Sequence, residues 1–560
     1  MMNHVSSAWR GVCVLALVAA APACKGDDAK GDDEVGEDGG SGTDGDTGTT
    51  GEDSYVPPPG GMRRLLDYQY LNTIELMFGP EAGLIASHPN DLALHGYTSI
   101  GSSDLSPGLD SVELYEFSAL AVADTAIANP TTLASLVPCI SDAQSDACYT
   151  EVAETLGHLA WRRPLSADEV ASVVESALAG KAWGEGDFNA GLKYELVRLL
   201  ISPHFIYVVE VGVQEADEPE EFTLTGPEIV TRMSLLLNGR IPRLDLLVQA
   251  ESGAFDDVAA LEDLARTMIA APEAENALAE FFGEYLDVDN LSAKSTTAFP
   301  LYSEALAASM SEETNRMLRD IIWDKDTDYR LFLDADYTFI DDNLAAVYGV
   351  APPGAWTQTT LPAEQNRSGF LTQAAFLARN SHAEANSTTR RGNYIQERFL
   401  CFSVPPPPGG VVPTIPDPPG EPMTLRDLME MIHLQEASCA DCHKYMDPLA
   451  FPLENYDAIG AFRTVEPNGL PINPVVEDEI YGVLENGADL AASVAMDPRL
   501  TNCLVNNLIR FGRGRLEDPQ NEPDELLALY DEFEAANFRV QEMLVHFVTS
   551  PLFRQVGEPK

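Results

Sequence analysis

The chain has 560 residues, of which 89 are Asp or Glu and 34 are Lys or Arg, so its formal net charge at pH 7 is −55. A surface this acidic repels phosphate, which argues against nucleic acid and anionic lipid headgroups as partners. The length exceeds what one hydrophobic core can use and predicts three or four domains.

The N-terminus has the pattern of an export signal. Arg10 precedes the apolar run VCVLALVAAA, which has the length of a signal-peptide core and is too short to span a bilayer as a helix. We therefore predict a signal peptide over residues 1–23 and an exported protein, located in the periplasm or at the cell surface. No other run of about twenty uncharged apolar residues follows, so no spanning segment is expected.

The end of this signal resembles the lipobox of bacterial lipoproteins, because Ala21, Pro22 and Ala23 precede Cys24. Lipidation of Cys24 would anchor the protein in the outer membrane. The match departs from the usual pattern at Ala21, which replaces Leu, and at Pro22. The alternative is ordinary cleavage after Ala23, which would leave a free thiol. We favour lipidation, since a lone N-terminal thiol is a liability in an oxidising compartment.

Residues 24–57 are predicted to form a disordered acidic tether. From Gly26 onward the segment consists almost entirely of Gly, Asp, Glu, Thr and Ser, together with Ala29 and Lys30, and Val35 is the one large apolar residue before Tyr55. Such a composition cannot bury enough surface to offset the entropy of ordering. Eleven of the 89 acidic residues lie here, so 78 remain in the rest of the chain.

Helical periodicity dominates the remaining chain. The segment RRLLDYQYLNTIELMFG has its apolar residues at helical spacing and is closed by Gly79-Pro80, and DADYTFIDDNLAAVYG begins as a strand and turns helical by Leu344. We predict a mostly α, multidomain helical body. The predicted divisions are 58–135, 136–215, 220–350, 351–404, a Pro-rich linker over 405–422, a segment over 423–475, and 476–560.

The segment after the linker opens with a helix start. Thr424 and Asp427 have the spacing of a capping box, and Leu425, Leu428, Met429 and Ile432 then form one apolar face. His433 lies on the same face, where a core position is favoured over a metal role.

The sequence CADCH, with Cys439, Cys442 and His443, is the strongest chemical signal in the chain. In an exported protein C-x-x-C-H indicates a c-type haem site, in which both sulfurs are attached to the haem and the histidine is the proximal iron ligand. We therefore predict that the C-terminal segment 423–475 is cytochrome-c-like. With 8 Cys and 9 His in the chain, about 0.002 chance matches are expected. The alternatives are a disulfide or free dithiol, and a zinc site completed by His433.

The segment CADCHKYMDPLAFPLENYDAIGAFR closely resembles the signature of the planctomycete-cytochrome-type proteins, which are large exported proteins of planctomycetes and myxobacteria. Further elements match in order over about residues 62 to 555. They are Arg63-Arg64-Leu65 with Tyr70 and Asn72, Trp161-Arg162-Arg163-Pro164-Leu165, Ser202-Pro203-His204-Phe205, Tyr337-Thr338-Phe339, Tyr348-Gly349 and Arg391-Gly392. The resemblance implies one haem c attached to Cys439 and Cys442, with His443 as proximal ligand.

An internal similarity in the sequence indicates that residues 476–560 are a repeat of residues 136–215. Arg163 to Pro203 and Arg513 to Pro551 are nearly equal separations, and each ends in a helix followed by Ser-Pro before an aromatic residue. The simpler explanation is that Pro stops helices wherever it occurs. We favour duplication.

The remaining cysteines predict two disulfides in an oxidised protein. Cys139 and Cys148 close a short polar loop. Cys401 and Cys503 flank the predicted haem segment.

The predicted function is electron transfer or haem-dependent oxidation, with a redox protein as the expected partner. No G-x-S-x-G, H-E-x-x-H or P-loop motif suggests hydrolysis, which favours a carrier. Met496 is a candidate distal ligand by its distance along the chain, with His382 and His433 as weaker candidates, and Arg463 is a candidate for a haem propionate. The rival functions are a non-catalytic binding or assembly protein with a structural C-x-x-C-H, and an accessory protein in extracellular polymer degradation.

Overall fold

The computed structural model describes residues 55, 57–106, 108–142, 144–214, 221–405, 420, 422–434 and 437–559. The predicted signal peptide, Cys24, nearly all of the predicted tether and most of the predicted Pro-rich linker lie outside the described residues. Tyr55–Lys560 form one compact unit.

Amphipathic helices build the first part of this unit. Several begin at side-chain caps. At Ser166, for example, the hydroxyl oxygen accepts from the Glu169 backbone N–H, and the Glu169 carboxylate accepts from the Ser166 backbone N–H. These helices are α1 (Asp67–Phe78), α2 (Pro80–Ile85), α3 (Thr98–Asp104), α4 (Leu109–Ala128), α5 (Thr131–Leu136), α6 (Cys139–Asp142), α7 (Asp146–Trp161), α8 (Ala167–Trp183), α9 (Phe188–Leu200) and α10 (Pro203–Ile206).

The central part is also helical, with two π-helical segments at Asp320–Asp324 and Ile395–Phe399. Its helices are α11 (Gly226–Leu237), α12 (Leu244–Glu251), α13 (Val258–Ile269), α14 (Pro272–Leu286), α15 (Glu304–Arg319), α16 (Leu331–Asp334), α17 (Asp342–Tyr348), α18 (Ala374–Arg379) and α19 (Thr388–Tyr394).

The C-terminal part begins at the predicted capping box, in which the Thr424 hydroxyl accepts from the Asp427 N–H and the Asp427 carboxylate from the Thr424 N–H. A third π-helical segment, Glu430–Leu434, follows the first of its helices. These helices are α20 (Leu425–Met429), α21 (Ala437–Ala450), α22 (Gly487–Ala495), α23 (Pro498–Arg513), α24 (Pro523–Ala535), α25 (Val540–Thr549) and α26 (Pro551–Arg554).

Short antiparallel strands join distant parts of the chain. They are β1 (Gly61–Arg64), β2 (Tyr207–Glu210), β3 (Val213–Gln214), β4 (Phe222–Thr223), β5 (Thr338–Ile340), β6 (Thr357–Thr359), β7 (Val476–Asp478), β8 (Gly482–Leu484) and β9 (Gln555–Val556). β1 pairs with β2, β4 lies between β3 and β9, β5 pairs with β6, and β7 pairs with β8.

The helices enclose two hydrophobic cores. The first lies among α1, α4, α7, α8 and α9, and it receives Leu235 and Leu247 from the following helices. The second is larger and extends from α3 through the central helices to β9. The prediction of a mostly α, multidomain chain is thus confirmed.

One buried arginine holds the first core to the segment that follows it. Arg162 ends α7 in the left-handed conformation and donates hydrogen bonds to the backbone oxygens of Ala160, His204, Phe205 and Tyr207. Among the described residues no carboxylate forms an ion pair with it, and burial lowers the pKa of its guanidinium to about 9. The arginine therefore fixes the turn between α10 and β2 through backbone carbonyl groups.

Both predicted disulfides are confirmed: Cys139 is bonded to Cys148, and Cys401 to Cys503. The second bond ties the chain just before the Pro-rich segment to α23. Among the described residues, no helix combines the length and the apolar composition needed to cross a membrane.

Candidate functional site

The CADCH motif lies in the first turns of α21, which packs closely against α19. Gly392 of α19 makes this contact possible, since a Cβ added there would be 1.8 Å from the backbone oxygen of Met446. In the π-helical segment after α19, Gln396 donates to the backbone oxygen of Tyr445 at 2.7 Å. The pair of contacts fixes α21 along its middle turns.

A buried arginine holds the chain just beyond α21. Arg391, which is fully buried, donates to the backbone oxygens of Leu453, Tyr456 and Asp457 and to the hydroxyl of Ser381. Burial lowers the pKa of its guanidinium to about 10, so the group still carries its charge at neutral pH. Arg391 therefore anchors both α19 and the turn that follows the motif helix.

Asp447 is the centre of the polar site. Its side chain is fully buried, and its Oδ2 atom accepts from the Nδ1 atoms of His433 at 2.7 Å and His443 at 3.2 Å. Its Oδ1 atom accepts from the Thr389 hydroxyl at 3.0 Å. His443 and Asp447 are one turn apart on α21, a spacing that brings side chains together on a helix.

The hydrogen bonds keep Asp447 ionised in spite of its burial. Burial raises the pKa of this carboxyl, but the hydrogen bonds and charges of His433 and His443 outweigh it, so the pKa lies below its ordinary value. The site is therefore a buried carboxylate stabilised by two imidazoles.

The same bonds orient both histidine rings. His433 and His443 stack with their centroids 3.6 Å apart and an angle of 29° between the rings. Because a carboxylate accepts at each Nδ1, that nitrogen carries the proton, and the Nε2 atom is the one left to bind a metal. The donor atoms of His433, His443 and Asp447 lie within 4.8 Å of one another, close enough to hold a metal ion.

The two thiols of the motif lie beside this cluster and not within it. Cys439 and Cys442 are half-buried, and the Cys442 Sγ atom is 3.3 Å from the backbone oxygen of Pro405. Of the described residues, only His433, His443 and Asp447 are gathered closely enough for one metal ion. The zinc site predicted from two thiols and two imidazoles is therefore not assembled in this part of the structure.

The donor set fits a c-type haem. Cys439, Cys442 and His443 stand at helical positions i, i+3 and i+4, which places two thiols and an imidazole on one side of α21. Asp447 holds the His443 Nδ1 atom, as second-shell carboxylates do for metal-bound histidines, and leaves the Nε2 atom free to bind a metal.

Three family models match the chain. They are PSD5, a protein of unknown function (DUF1595), at residues 148–210; PSD4, a protein of unknown function (DUF1592), at residues 224–350; and PSCyt3, a protein of unknown function (DUF1588), at residues 367–466. The chain carries domains of the planctomycete cytochrome-type families. No curated protein and no solved structure matches it.

The matched ranges follow the structure. The PSD5 range extends from α7 to β2, and the PSD4 range from α11 to α17. The PSCyt3 range includes α19, α21 and every residue of the Asp447 cluster. It runs across the predicted divisions 351–404, 405–422 and 423–475, so one family domain contains both helices that form the site.

The other candidate residues lie apart from this cluster. Met496 is 68% exposed at the end of α22, where it borders a cavity with residues of α23 and α24. His382 is exposed in the loop after α18. Arg463 forms an ion pair with the buried carboxylate of Glu454, at 3.5 Å. Met496 as a distal ligand stays a prediction.

Asp447 and Thr389 were missed by the sequence analysis. The one-turn spacing of His443 and Asp447 was a usable signal, because a carboxylate four residues after a histidine lies beside it on a helix. Thr389 gave no comparable signal, since it reaches the site from another helix. His433 was assigned to the core, but it is half-buried and bonded to Asp447.

Replacing Asp447 by Asn is expected to destabilise the protein. The change removes the negative charge that accepts from two imidazoles and a hydroxyl, at a cost of about 1.5–3 kcal/mol at pH 7. The native pKa of Asp447 is depressed, so its contribution is complete above the unfolded pKa of about 4 and is lost as the pH falls through the native pKa. The deficit of the variant should shrink over that range.

Urea denaturation of the full chain, followed by far-ultraviolet circular dichroism at several pH values, measures this effect. Asp441→Asn is the matched control, because Asp441 is exposed on the same helix and should change stability by less than about 0.5 kcal/mol. Equal stability of the two variants at pH 7 would contradict the role given to Asp447.

Proposed function

We propose that the protein carries electrons in the cell envelope through one covalently attached haem c, and that lipid on Cys24 anchors it to the membrane. A haem-dependent oxidation is the alternative use of the same site. The proposal rests on one observation: α21 carries two thiols and an imidazole at the spacing of haem attachment, and the buried carboxylate of Asp447 accepts from the Nδ1 atom of that imidazole.

Each residue of the site has a defined task in this proposal. Cys439 and Cys442 would hold the haem through their sulfurs, and the Nε2 atom of His443 would bind its iron. When bound, haem c supplies a one-electron couple at its iron.

Asp447 positions and tunes His443. Its hydrogen bond fixes the tautomer and the orientation of the ring and makes the imidazole a stronger electron donor. His433 donates to the same Oδ2 atom, so the negative charge of Asp447 is shared between two imidazoles and acts less strongly on His443. Thr389 holds the other carboxylate oxygen and keeps the group from rotating. The PSCyt3 match over these residues supports the proposal.

A second candidate is a site for a divalent metal ion without haem. Two imidazoles and one carboxylate within 4.8 Å of one another favour it, since zinc accepts this donor set. The protein would then be a binding or assembly module. Zinc bound at one equivalent to haem-free wild-type protein, made in cells with an active haem-attachment system, would favour this second candidate.

Covalent haem is expected after maturation in cells that express the c-type haem apparatus. Full-length protein should keep a peroxidase-active band in denaturing gels, and Cys439→Ser with Cys442→Ser should abolish it, because both thioether bonds are lost. Cys139→Ser with Cys148→Ser is the matched control, since it removes two cysteines of a disulfide away from the motif and should keep the band. Folded wild-type protein without haem would refute the assignment.

A carrier is expected to have six ligands on its iron. Reduced wild-type protein exposed to carbon monoxide should then show no prompt shift of the Soret band, because no coordination position is open. Partly denatured protein, in which weak ligands are released, is the positive control. A prompt shift in native protein, together with turnover of peroxide, would instead support oxidation.

Anchoring through Cys24 is expected to determine how the protein partitions. Cys24→Ala should move the haem-stained band from the membrane fraction to the soluble fraction, because it removes the acylated residue. Cys13→Ala is the matched control, since Cys13 lies inside the apolar run of the predicted signal peptide. Membrane association of Cys24→Ala equal to that of wild type would rule out this anchor.

A further inference from the structure

A cavity away from the Asp447 cluster brings both ends of the described chain together. Its volume is about 380 Å³, and its walls come from residues 58–63, the end of α23 and strand β9. Pro58, Pro59, Met62 and Val556 give it apolar surface. This size and mixture of surfaces are typical of a site for a small molecule.

Four arginines line this cavity, which we call the arginine pocket: Arg63, Arg232, Arg513 and Arg515. Two acidic residues, Asp104 and Glu210, line it with them. The whole chain has 34 basic and 89 acidic residues, so this excess of positive charge opposes the overall composition. Positive charge in an otherwise acidic protein marks the pocket as the place where an anion would bind.

In one wall of the arginine pocket, two arginines share a single carboxylate. Arg232 binds Glu210 through both carboxylate oxygens, at 2.9 and 2.7 Å, and its third donor reaches the backbone oxygen of Phe553. Arg63 contacts Glu210 only through Nε, at 3.4 Å. No hydrogen bond from its Nη1 or Nη2 group is found among the described residues, and the side chain, which lines the cavity, is 6% exposed.

The opposite wall repeats this imbalance. Arg513 and Arg515 both donate to the same oxygen of the buried Glu522, so one carboxylate serves two guanidinium groups. The Nη1 atom of Arg513 is fully buried, and no hydrogen-bond partner for it is found in the described part of the chain. Each wall therefore carries one positive charge more than its carboxylate partner neutralises, and when Asp104 is included the four arginines exceed the three carboxylates by one charge.

A purely structural ion network does not explain these donors. It accounts for Arg232 with Glu210 and for Arg515 with Glu522, but it leaves nitrogens of Arg63 and Arg513 without acceptors. Buried donors without acceptors are costly, and buried guanidinium groups are most stable with oxygen acceptors in a paired arrangement. An oxyanion in the cavity would accept hydrogen bonds directly from the Nη groups of Arg63.

We propose that the arginine pocket binds a small organic anion through a carboxylate or phosphate group. The Nη groups of Arg63 take the oxyanion, Arg515 adds charge from the opposite wall, and the apolar residues near Met62 contact the carbon part. The ligand also joins β1 to the C-terminal strand β9, because both strands form the cavity.

Calorimetric titration of the full chain at low ionic strength tests this proposal, with succinate and inorganic phosphate as probes. At least one of them should bind, and the neutral isostere succinamide should not. Arg63→Gln should weaken binding at least tenfold, about the loss that removal of a charged donor produces. Arg243→Gln is the matched control, because Arg243 is 73% exposed and lies outside the pocket, and it should bind as wild type does.

Gly61→Trp provides a second test that leaves every ion pair in place. A Cβ atom added at Gly61, which lines the cavity, meets no atom within 4 Å, so a large side chain there begins in open space beside the pocket, and far-ultraviolet circular dichroism should show that the variant is folded. It should abolish binding. Binding of succinate alone assigns a carboxylate ligand, and binding of phosphate alone assigns a phosphate ligand. The proposal would be overturned if neither anion bound to wild type, or if Arg63→Gln and Gly61→Trp bound the anion as tightly as wild type does.

Discussion

The charge of Arg391 is the constraint on which the site depends. A guanidinium removed from water must find oxygen acceptors, or its burial costs several kcal/mol. Three backbone oxygens after α21 and one serine hydroxyl provide them, which is possible only when that turn is folded against α19. The neighbouring residue, Gly392, has no side chain and so allows α21 to approach α19 closely. One dipeptide therefore sets both the distance and the orientation of the helix that carries the motif.

The position of α21 in turn determines the electrostatics of the site. Asp447 can remain charged because α19 brings the Thr389 hydroxyl to one oxygen and the preceding segment brings His433 to the other. Without these donors, burial would raise the pKa of the carboxyl and favour its neutral form. In the proposed haem protein, an ionised Asp447 would make His443 a stronger donor, stabilise the oxidised iron and lower the reduction potential.

The sequence predicted what depends on neighbouring residues. The capping box of Thr424 and Asp427 and the end of α1 at Gly79 follow from a few consecutive residues, and both are present. The pairing of Cys401 with Cys503 could be predicted across a long separation because few cysteines were available in an oxidised protein. The partners of Arg162 and Arg391 could not be predicted, since backbone oxygens have no signature in a sequence. Arg63, Arg232 and Arg513 are far apart in the chain, and only the fold reveals that they share a cavity.

The order of elements in residues 146–210 recurs in residues 498–556. These two segments lie mostly within the two halves of the predicted repeat. In each, a helix ends in a left-handed residue, two helices follow, and a Ser-Pro step starts a short helix before a strand. Phe205 and Phe553 occupy the same place after the Ser-Pro step, and the backbone oxygen of each accepts from a buried arginine. The arginine is Arg162 of the same segment in one case and Arg232 of α11 in the other. The second segment therefore depends on an arginine from outside it, and that arginine also holds Glu210 at the wall of the arginine pocket. Arg232 therefore connects the turn at Phe553 in the C-terminal segment to the arginine pocket, which lies between the two ends of the described chain.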